Sequence, residues 1–191
     1  LKPELEAAGI RAARSRAQGY FLLMFNMRDP EVGGFAPAKI ALRRAIAMSF
    51  DDGEWMRTFD QGLGYAQQHL IGPDVVGYDP AYRNPNAFDP ATANALLDRF
   101  GYRRGADGMR ANPDGTPLAV RMIVGTSSTG RRVAEFMKKS FDRIGVRVEF
   151  DTMPPGDRLK RMSTCRHQLT TMDFGGGAPD GVSAMENFYS R

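Results

Sequence analysis

The stretch from residue 118 to residue 150, LAVRMIVGTSSTGRRVAEFMKKSFDRIGVRVEF, decides the fold of this 191-residue chain. Its two ends alternate apolar side chains with others, which predicts two β-strands. The alternating residues are Leu118, Val120, Met122 and Val124 at one end and Val146, Val148 and Phe150 at the other. An apolar stripe at helical spacing lies between them and ends before Gly145: Val133, Phe136, Met137, Ser140, Phe141 and Ile144. Strand, helix and strand with short connections make a βαβ unit, so we expect parallel strands, a right-handed crossover and an α/β fold.

Upstream of this unit the chain predicts a helix, a strand and another helix. Residues 1–18 are rich in Ala and Arg and favour a helix interrupted by Gly9. The continuous apolar run 20–26 is typical of a strand that is buried on both faces. Pro37 is suited to open the next helix, because the first helical position needs no N–H donor.

The middle of the chain contains two capping signals around a long loop. Asp51 or Asp52 is suited to cap a short helix over 53–60, which carries the only Trp of the chain, Trp55. Residues 62–88 are dense in Gly, Pro, Asn and Tyr, which predicts a long ordered loop.

The sequence Asp89-Pro90 is the sharpest local signal in the chain. An Asp at the N-cap followed by Pro at the first turn predicts a helix from residue 90, and Gly101 stands where a helix of that kind ends. Asp107-Gly108 and Asp114-Gly115 then predict a short hairpin-like excursion. After the βαβ unit we expect a short helix over 154–166 and a strand over 168–174.

Composition and charge argue against several classes of protein. The 26 Lys and Arg outnumber the 22 Asp and Glu, but the basic residues are dispersed as pairs rather than gathered into the patch that a nucleic-acid partner requires. The longest apolar run, 20–25, is far shorter than a membrane-spanning helix of about 20 residues. The first residues lack the basic start and apolar core of a secretory signal, so we expect a mature protein or an excised fragment.

Candidate catalytic and metal-binding residues are few. His69, His167 and Cys165 lack the spacing of a metal-ligand set. Ser127 and His69 offer a nucleophile and a base, but no Gly-x-Ser-x-Gly elbow supports that choice. We therefore expect a protein that is not an enzyme and needs no cofactor.

Two glycine-containing segments leave alternatives open. The segment 125–130, GTSSTG, joins a strand to a helix and suits either a capped helix start or an anion-binding loop of a small α/β enzyme. The segment 175–181, GGGAPDG, suits either a flexible strand exit or a cleft wall in which Asp180 meets a cationic group.

Several segments, in this order, resemble the family 5 extracellular solute-binding proteins, the peptide- and nickel-binding group of ABC importers. An apolar strand that ends in Asn26 is followed by the helix ALRRAIAMSFD. GYDP and FDPATANALL then resemble that family's tyrosine-aspartate-proline helix. Shorter matches continue through the βαβ unit to FDRIGV. The segments are residues 25–26, 41–51, 77–80, 88–97, 100–102, 107–108, 114–118 and 141–146.

The resemblance implies a fragment of a two-lobed clamp of the periplasmic-binding-protein type II class, with a βαβ unit in a mixed sheet. Residues 1–19 would be a flank from the preceding lobe or hinge, residues 20–174 the C-terminal α/β lobe, and residues 175–191 the segment that crosses back. The implied role is capture of peptides or related small solutes in the periplasm and delivery to the permease subunits in the inner membrane. The N-terminal lobe of the same protein would be the other partner, and no nucleic acid is implied.

The resemblance also points to ligand-binding residues in the crossing segment. Peptide-binding members carry a tryptophan and an acid there, and this chain has Phe174 in place of the tryptophan and Gly177 in place of the acid. Gly176 lies between them, and Asp180 is a candidate substitute for the acid. The expected ligand-binding residues are therefore Phe174, Gly176, Gly177 and Asp180, with the ligand class left open among peptides, modified peptides and other organic solutes.

Overall fold

The computed structural model describes residues 2–11, 19–73 and 75–174, which form a mixed sheet with helices packed against it. The strands are β1 (Tyr20–Phe25), β2 (Ala119–Gly125), β3 (Arg147–Met153) and β4 (Leu169–Phe174). The helices are α1 (Pro3–Ala7), α2 (Pro37–Met48), α3 (Asp52–Thr58), α4 (Pro90–Arg99), α5 (Ser128–Arg143) and α6 (Pro155–Ser163). None of the helices in these ranges is long and apolar enough to cross a membrane.

The sheet has the strand order β1-β4-β2-β3 and contains the predicted βαβ unit. β2 and β3 are parallel over their whole length, from Ala119 opposite Arg147 to Gly125 opposite Met153, with α5 between them. β4 runs parallel to β2, and β1 runs antiparallel to β4. The expectation of an α/β fold with a mixed sheet is confirmed.

The prediction that β1 is buried on both faces is wrong. In the described sheet β1 lies at an edge beside β4, and all six of its residues are only half-buried. Its first residues line an open cleft rather than a second layer of helices. A continuous apolar run predicts a strand correctly but does not say how much protein covers each face.

Three helix starts are capped as the sequence predicts. The carboxylate of Asp51 accepts the amide of Glu54 at 2.9 Å, and the carboxylate of Asp89 accepts the amide of Thr92 at 3.0 Å. The hydroxyl of Ser127 caps α5 in the same way. Each cap satisfies an amide that the first turn of a helix leaves without a partner.

The remaining predicted elements also match the described residues. α4 is followed by Gly101 at φ +83°, and bridges at Arg104–Arg110 and Ala111–Pro117 form the hairpin-like excursion. α6 and β4 occupy the predicted ranges, and the described residues between 62 and 88 contain neither helix nor strand. Of the predicted helix over 1–18 the described residues contain α1, which ends before the predicted interruption at Gly9, and residues 12–18 lie outside the described ranges.

The core lies between the sheet and the helices α2, α4 and α5. Its largest side chains are completely or almost completely buried: Leu42, Ile46, Leu97, Tyr102, Leu118, Met122, Met137, Phe141, Ile144 and Leu169. The stripe predicted on α5 supplies much of this set, because every one of its members is buried. Burial of side chains of this size is the main source of stability, at about 1.5–3 kcal/mol each.

Asn26 joins the end of β1 to the beginning of β4. Its side-chain amide donates to the carbonyl oxygens of Cys165 at 2.9 Å and His167 at 2.8 Å, and its oxygen accepts the amide of Arg28 at 3.1 Å. The turn before β4 is thereby held against β1, although 139 residues separate Asn26 from Cys165.

Arg110 is a buried cation that joins three segments of the chain. Its guanidinium donates to the carbonyl oxygen of Ile144 at 2.8 Å, to that of Tyr102, and to the side-chain oxygen of Asn94 at 2.9 Å. It also contacts the carboxylate of Asp98 at 2.5 Å. The side chain of Arg110 is 1% exposed, so its attraction for these acceptors is little screened by water.

Replacing Arg110 with Met should destabilise the protein by about 3 kcal/mol, because the buried carbonyls of Tyr102 and Ile144 would lose their donor. The measurement is the midpoint of urea unfolding at unchanged slope. Arg103→Met is the matched control, since Arg103 is exposed on the same hairpin. Equal losses in the two variants would show that the buried contacts of Arg110 are not the cause.

Stability should also fall steeply at alkaline pH because of Tyr102. Burial raises the pKa of Tyr102 to about 12, with a further contribution from Glu31. The unfolded tyrosine titrates near pH 10, so the raised pKa adds to the free energy of unfolding. This added stability is complete below about pH 10 and is lost between about pH 10 and 12, at up to about 1.4 kcal/mol per pH unit. Tyr102→Phe should remove that slope, at a cost of about 1 kcal/mol at neutral pH for the lost hydrogen bond to Ala38. Unfolding measured from pH 9 to 11.5 tests this, and identical slopes in both proteins would refute it.

Candidate functional site

An open cleft of about 1400 Å³ lies at one edge of the sheet. The carboxyl ends of the parallel strands β2 and β4 border it, together with the beginning of β1 and the first turn of α5. This edge is where open α/β sheets bind their ligands, since loops and helix starts meet there. The cleft is therefore the candidate site.

One wall of the cleft is a single face of α3. Asp52, Trp55, Met56, Phe59 and Asp60 line the cleft, and their spacing of three, four, seven and eight residues places them on one side of the helix and its end. The middle of this wall is apolar and its two ends are acidic. The wall continues through residues 62–67 of the following loop.

The aromatic part of this wall is a packed stack. The ring of Trp55 lies 4.2 Å from that of Phe21 and 4.1 Å from that of Phe59, centroid to centroid. Phe136 from α5 meets Trp55 edge-on at 5.2 Å from behind. These contacts hold Trp55 and Phe59 in place, so the wall is rigid before any ligand arrives.

The cleft lining also contains Phe174, which is the one predicted ligand-binding residue that the structure describes. Its ring stacks on that of Tyr20 at 5.2 Å, and both line the cleft. Gly176, Gly177 and Asp180 lie outside the described residues, so their predicted role stays a prediction.

Both signs of charge occur on the cleft walls. Asp52, Asp60, Asp173, Arg132 and Arg158 all line the cleft, and none of the five belongs to an ion pair within the described ranges. Each guanidinium instead donates to a backbone carbonyl, Arg132 to that of Thr58 and Arg158 to that of Thr171. Arg132 also lies over the ring of Phe59 at 5.0 Å.

The cleft also contains the segment 125–130, and here the capped helix start is confirmed. The hydroxyl of Ser127 accepts the amide of Gly130 at 3.1 Å. Gly130 is packed so closely on Gly125 that a Cβ built on it would lie 2.0 Å from the Gly125 carbonyl oxygen. A carbonyl oxygen therefore already occupies the space beside this first turn. Gly125 itself borders open space in the cleft.

The other candidate residues do not come together. The hydroxyl of Ser127 serves the helix cap, whereas the ring of His69 accepts the amide of Ile71 at 3.1 Å and stacks on Tyr78. His167 is half-buried beside the carbonyl contacts of Asn26, and burial lowers its pKa. In the ranges that the structure describes, no three His, Cys, Asp or Glu side chains form a metal-binding group.

Sequence reasoning missed the α3 wall and the two arginines. The helical spacing of residues 52–60 was visible, but it does not say whether that face meets the core or a cleft. Arg132 and Arg158 belong to helices with many other basic residues, and nothing in the sequence distinguishes the ones that line the cleft.

Comparison with known proteins supports the expected family. The family model for the bacterial extracellular solute-binding proteins, family 5 Middle, matches residues 2–191. The chain is 27% identical over 148 residues to the dipeptide-binding protein of Escherichia coli (strain K12), covering 76% of the chain and 26% of that protein. It is 30% identical over 146 residues to the di/tripeptide-binding protein 2 of Pseudomonas aeruginosa (strain UCBPP-PA14), covering 73% and 25%.

Solved structures show the same fold. The periplasmic oligopeptide-binding protein of an oligopeptide ABC transporter from Thermotoga maritima, crystallised with bound mannohexaose, superimposes with a TM-score of 0.74 at 19% identity, over 89% of this chain and 32% of that one. The chain thus has the fold of part of a type II periplasmic binding protein, as expected. It spans about a quarter of the length of the curated relatives that it matches.

Replacing Gly130 with Ala should destabilise the protein by about 1–3 kcal/mol. The new methyl group would collide with the backbone of Gly125 and push the first turn of α5 away from the end of β2. Gly156→Ala is the matched control, since a Cβ there meets open space on α6 and should leave stability unchanged or raise it by up to about 1 kcal/mol. Thermal unfolding of the two variants measures the difference. Equal stability of the two variants would contradict the close packing at Gly130.

Proposed function

Because the chain belongs to the bacterial extracellular solute-binding proteins of family 5, we propose that it forms one lobe of the substrate-binding component of an ABC importer. The observation that carries the proposal is the open cleft at the carboxyl edge of the sheet, with its rigid aromatic wall and its unpaired charges of both signs. A site of this kind supports binding of a small polar solute with apolar parts. In the proposed role the protein captures the solute and delivers it to the importer without changing it chemically.

The openness of the cleft supports a two-lobed clamp. We assign residues 20–174 to the C-terminal lobe, residues 175–191 to the segment that crosses toward the other lobe, and residues 1–19 to the flank before the lobe. Closure of a second lobe over the cleft would cover the half-buried residues of β1 and remove the solute from water. The closed state would be the one that the permease recognises.

The proposed solutes are peptides or related small organic molecules. The two curated relatives are a dipeptide-binding and a di/tripeptide-binding protein, which supports short peptides. The carboxylates and guanidinium groups of the cleft are suited to the charged ends of a peptide, and the aromatic wall to its side chains. The mannohexaose bound to the Thermotoga maritima protein supports keeping other organic molecules in the proposed solute class.

Phe174 and the residues after it are the proposed ligand contacts of the crossing segment. The stacked pair of Tyr20 and Phe174 supports this assignment, because it presents an aromatic surface at the end of the cleft. In this proposal Gly176 and Gly177 let the ligand approach the backbone, and the carboxylate of Asp180 meets a cationic group. The setting is the periplasm, with permease subunits of the inner membrane as partners.

A larger side chain at Gly125 should weaken solute binding without unfolding the protein. A side chain on Gly125 would project into open cleft space, so Gly125→Leu should weaken binding of a di- or tripeptide by at least about tenfold at unchanged stability. Isothermal titration calorimetry on the full-length protein measures the affinity, after a thermal-shift screen of short peptides selects the ligand.

The control for this experiment is Gly156→Leu, which adds the same side chain at an exposed position outside the cleft. It should bind as the unchanged protein does. Full affinity in Gly125→Leu would show that the solute does not occupy this cleft. A full-length protein that binds none of the peptides or small solutes in the screen would overturn the proposed function.

A further inference from the structure

The acidic residues of α3 divide into two groups according to the side of the helix on which they lie. On the side toward α5, Glu54 accepts from Lys139 at 2.8 Å and from Arg143 at 2.9 Å, and Asp51 lies 3.7 Å from Arg143. Asp52, on the cleft side, has no cation within ion-pair distance among the described residues. The carboxylate of Asp52 is thus the unneutralised charge at this end of the wall.

The cleft-lining residues one helical turn beyond Asp52 are apolar. Trp55 and Met56 follow it by one helical turn on the same face, and Phe21 from β1 packs on Trp55. Burial, and then the neighbouring carboxylate of Asp51, raise the pKa of Asp52 above its ordinary value. Burial and the Asp51 carboxylate both disfavour the ionised form of Asp52, and a cation beside Asp52 would offset both effects.

The arginines of the cleft do not fill this position. Arg132 is held at the other end of the helix by the carbonyl of Thr58 and the ring of Phe59, and Phe59 is about 10 Å from Asp52 along the helix axis. Arg158 is held by the carbonyl of Thr171 on β4. Neither guanidinium lies within 4 Å of the Asp52 carboxylate, so a cation from the solute meets a carboxylate that has no ion-pair partner among the described residues.

We propose that Asp52, with the apolar surface of Trp55, Met56 and Phe21, forms a subsite for a cationic group carried on an apolar stem. The carboxylate accepts hydrogen bonds from the cation, and the apolar surface covers the stem. A lysine-like side chain meets both requirements, whereas an acidic side chain meets neither. This subsite deepens the proposed function and rests on it, since it selects among solutes of the same cleft.

The test compares two peptides that differ only in the charge at the end of one side chain. Alanyl-lysine and alanyl-norleucine share the same apolar stem, and only the first carries the terminal ammonium group. Calorimetric titration of the full-length protein should give roughly tenfold tighter binding of the lysine peptide, as one charge-assisted contact provides. Asp52→Asn should reduce that ratio to about one.

Asp157→Asn is the control, because it removes the same charge from an exposed position on α6 outside the cleft and should leave the ratio unchanged. Equal affinity for the two peptides in the unchanged protein, or a ratio that survives Asp52→Asn, would overturn the subsite while leaving a peptide-binding function standing. Binding of neither peptide, in a protein that the screen shows to bind no other peptide, would overturn the proposed peptide ligand and the subsite with it.

Discussion

The buried guanidinium of Arg110 is the interaction on which the arrangement of the other segments depends. A single side chain satisfies acceptors on Asn94 in the middle of α4, on Tyr102 shortly after that helix, and on Ile144 in the turn that follows α5. Its own backbone amide donates to Gly145 at 2.7 Å, so the hairpin is joined to the same turn. These contacts hold the C-terminal end of α5 in place, and the helix packs against the sheet from there. Its opposite end forms part of the cleft.

The same helix positions the aromatic wall. Phe136 supports the stack of Phe21, Trp55 and Phe59 from behind, and Lys139 and Arg143 pair with acids of α3. These contacts orient α3 so that its other face, with Asp52, Met56 and Asp60, meets the cleft. The ion pairs with α5 thus separate the paired acids Asp51 and Glu54 from Asp52, which lines the cleft.

Five charged side chains that line the cleft are in no ion pair within the described ranges. Asp52, Asp60, Asp173, Arg132 and Arg158 each lack an opposite charge within 4 Å there. Surface ion pairs contribute little to stability, so leaving these groups unpaired has a small cost. In the proposed clamp, closure of a second lobe over the cleft would make the same groups stronger partners for a solute, because water would screen them less.

The sequence by itself determined the elements whose signals are local. The Asp89 cap acts on an amide three residues away, and the periods of 2 and 3.6 in 118–150 depend on neighbouring side chains, so both were predicted correctly. For the caps at Asp51 and Ser127 the sequence left an alternative, Asp52 in the first case and an anion-binding loop in the second. The order of several such segments along the chain predicted the family. The resemblance to that family then predicted a site role for Phe174, which lines the cleft.

Only the tertiary structure decided which faces meet the cleft and which meet the core. The half-burial of β1, the burial of Arg110 and the cleft position of Asp52 each depend on segments far apart in the sequence. Arg143, for example, contacts Glu54 across 89 residues of chain. A helical period shows that two faces differ, but the packing of distant elements determines what covers each of them.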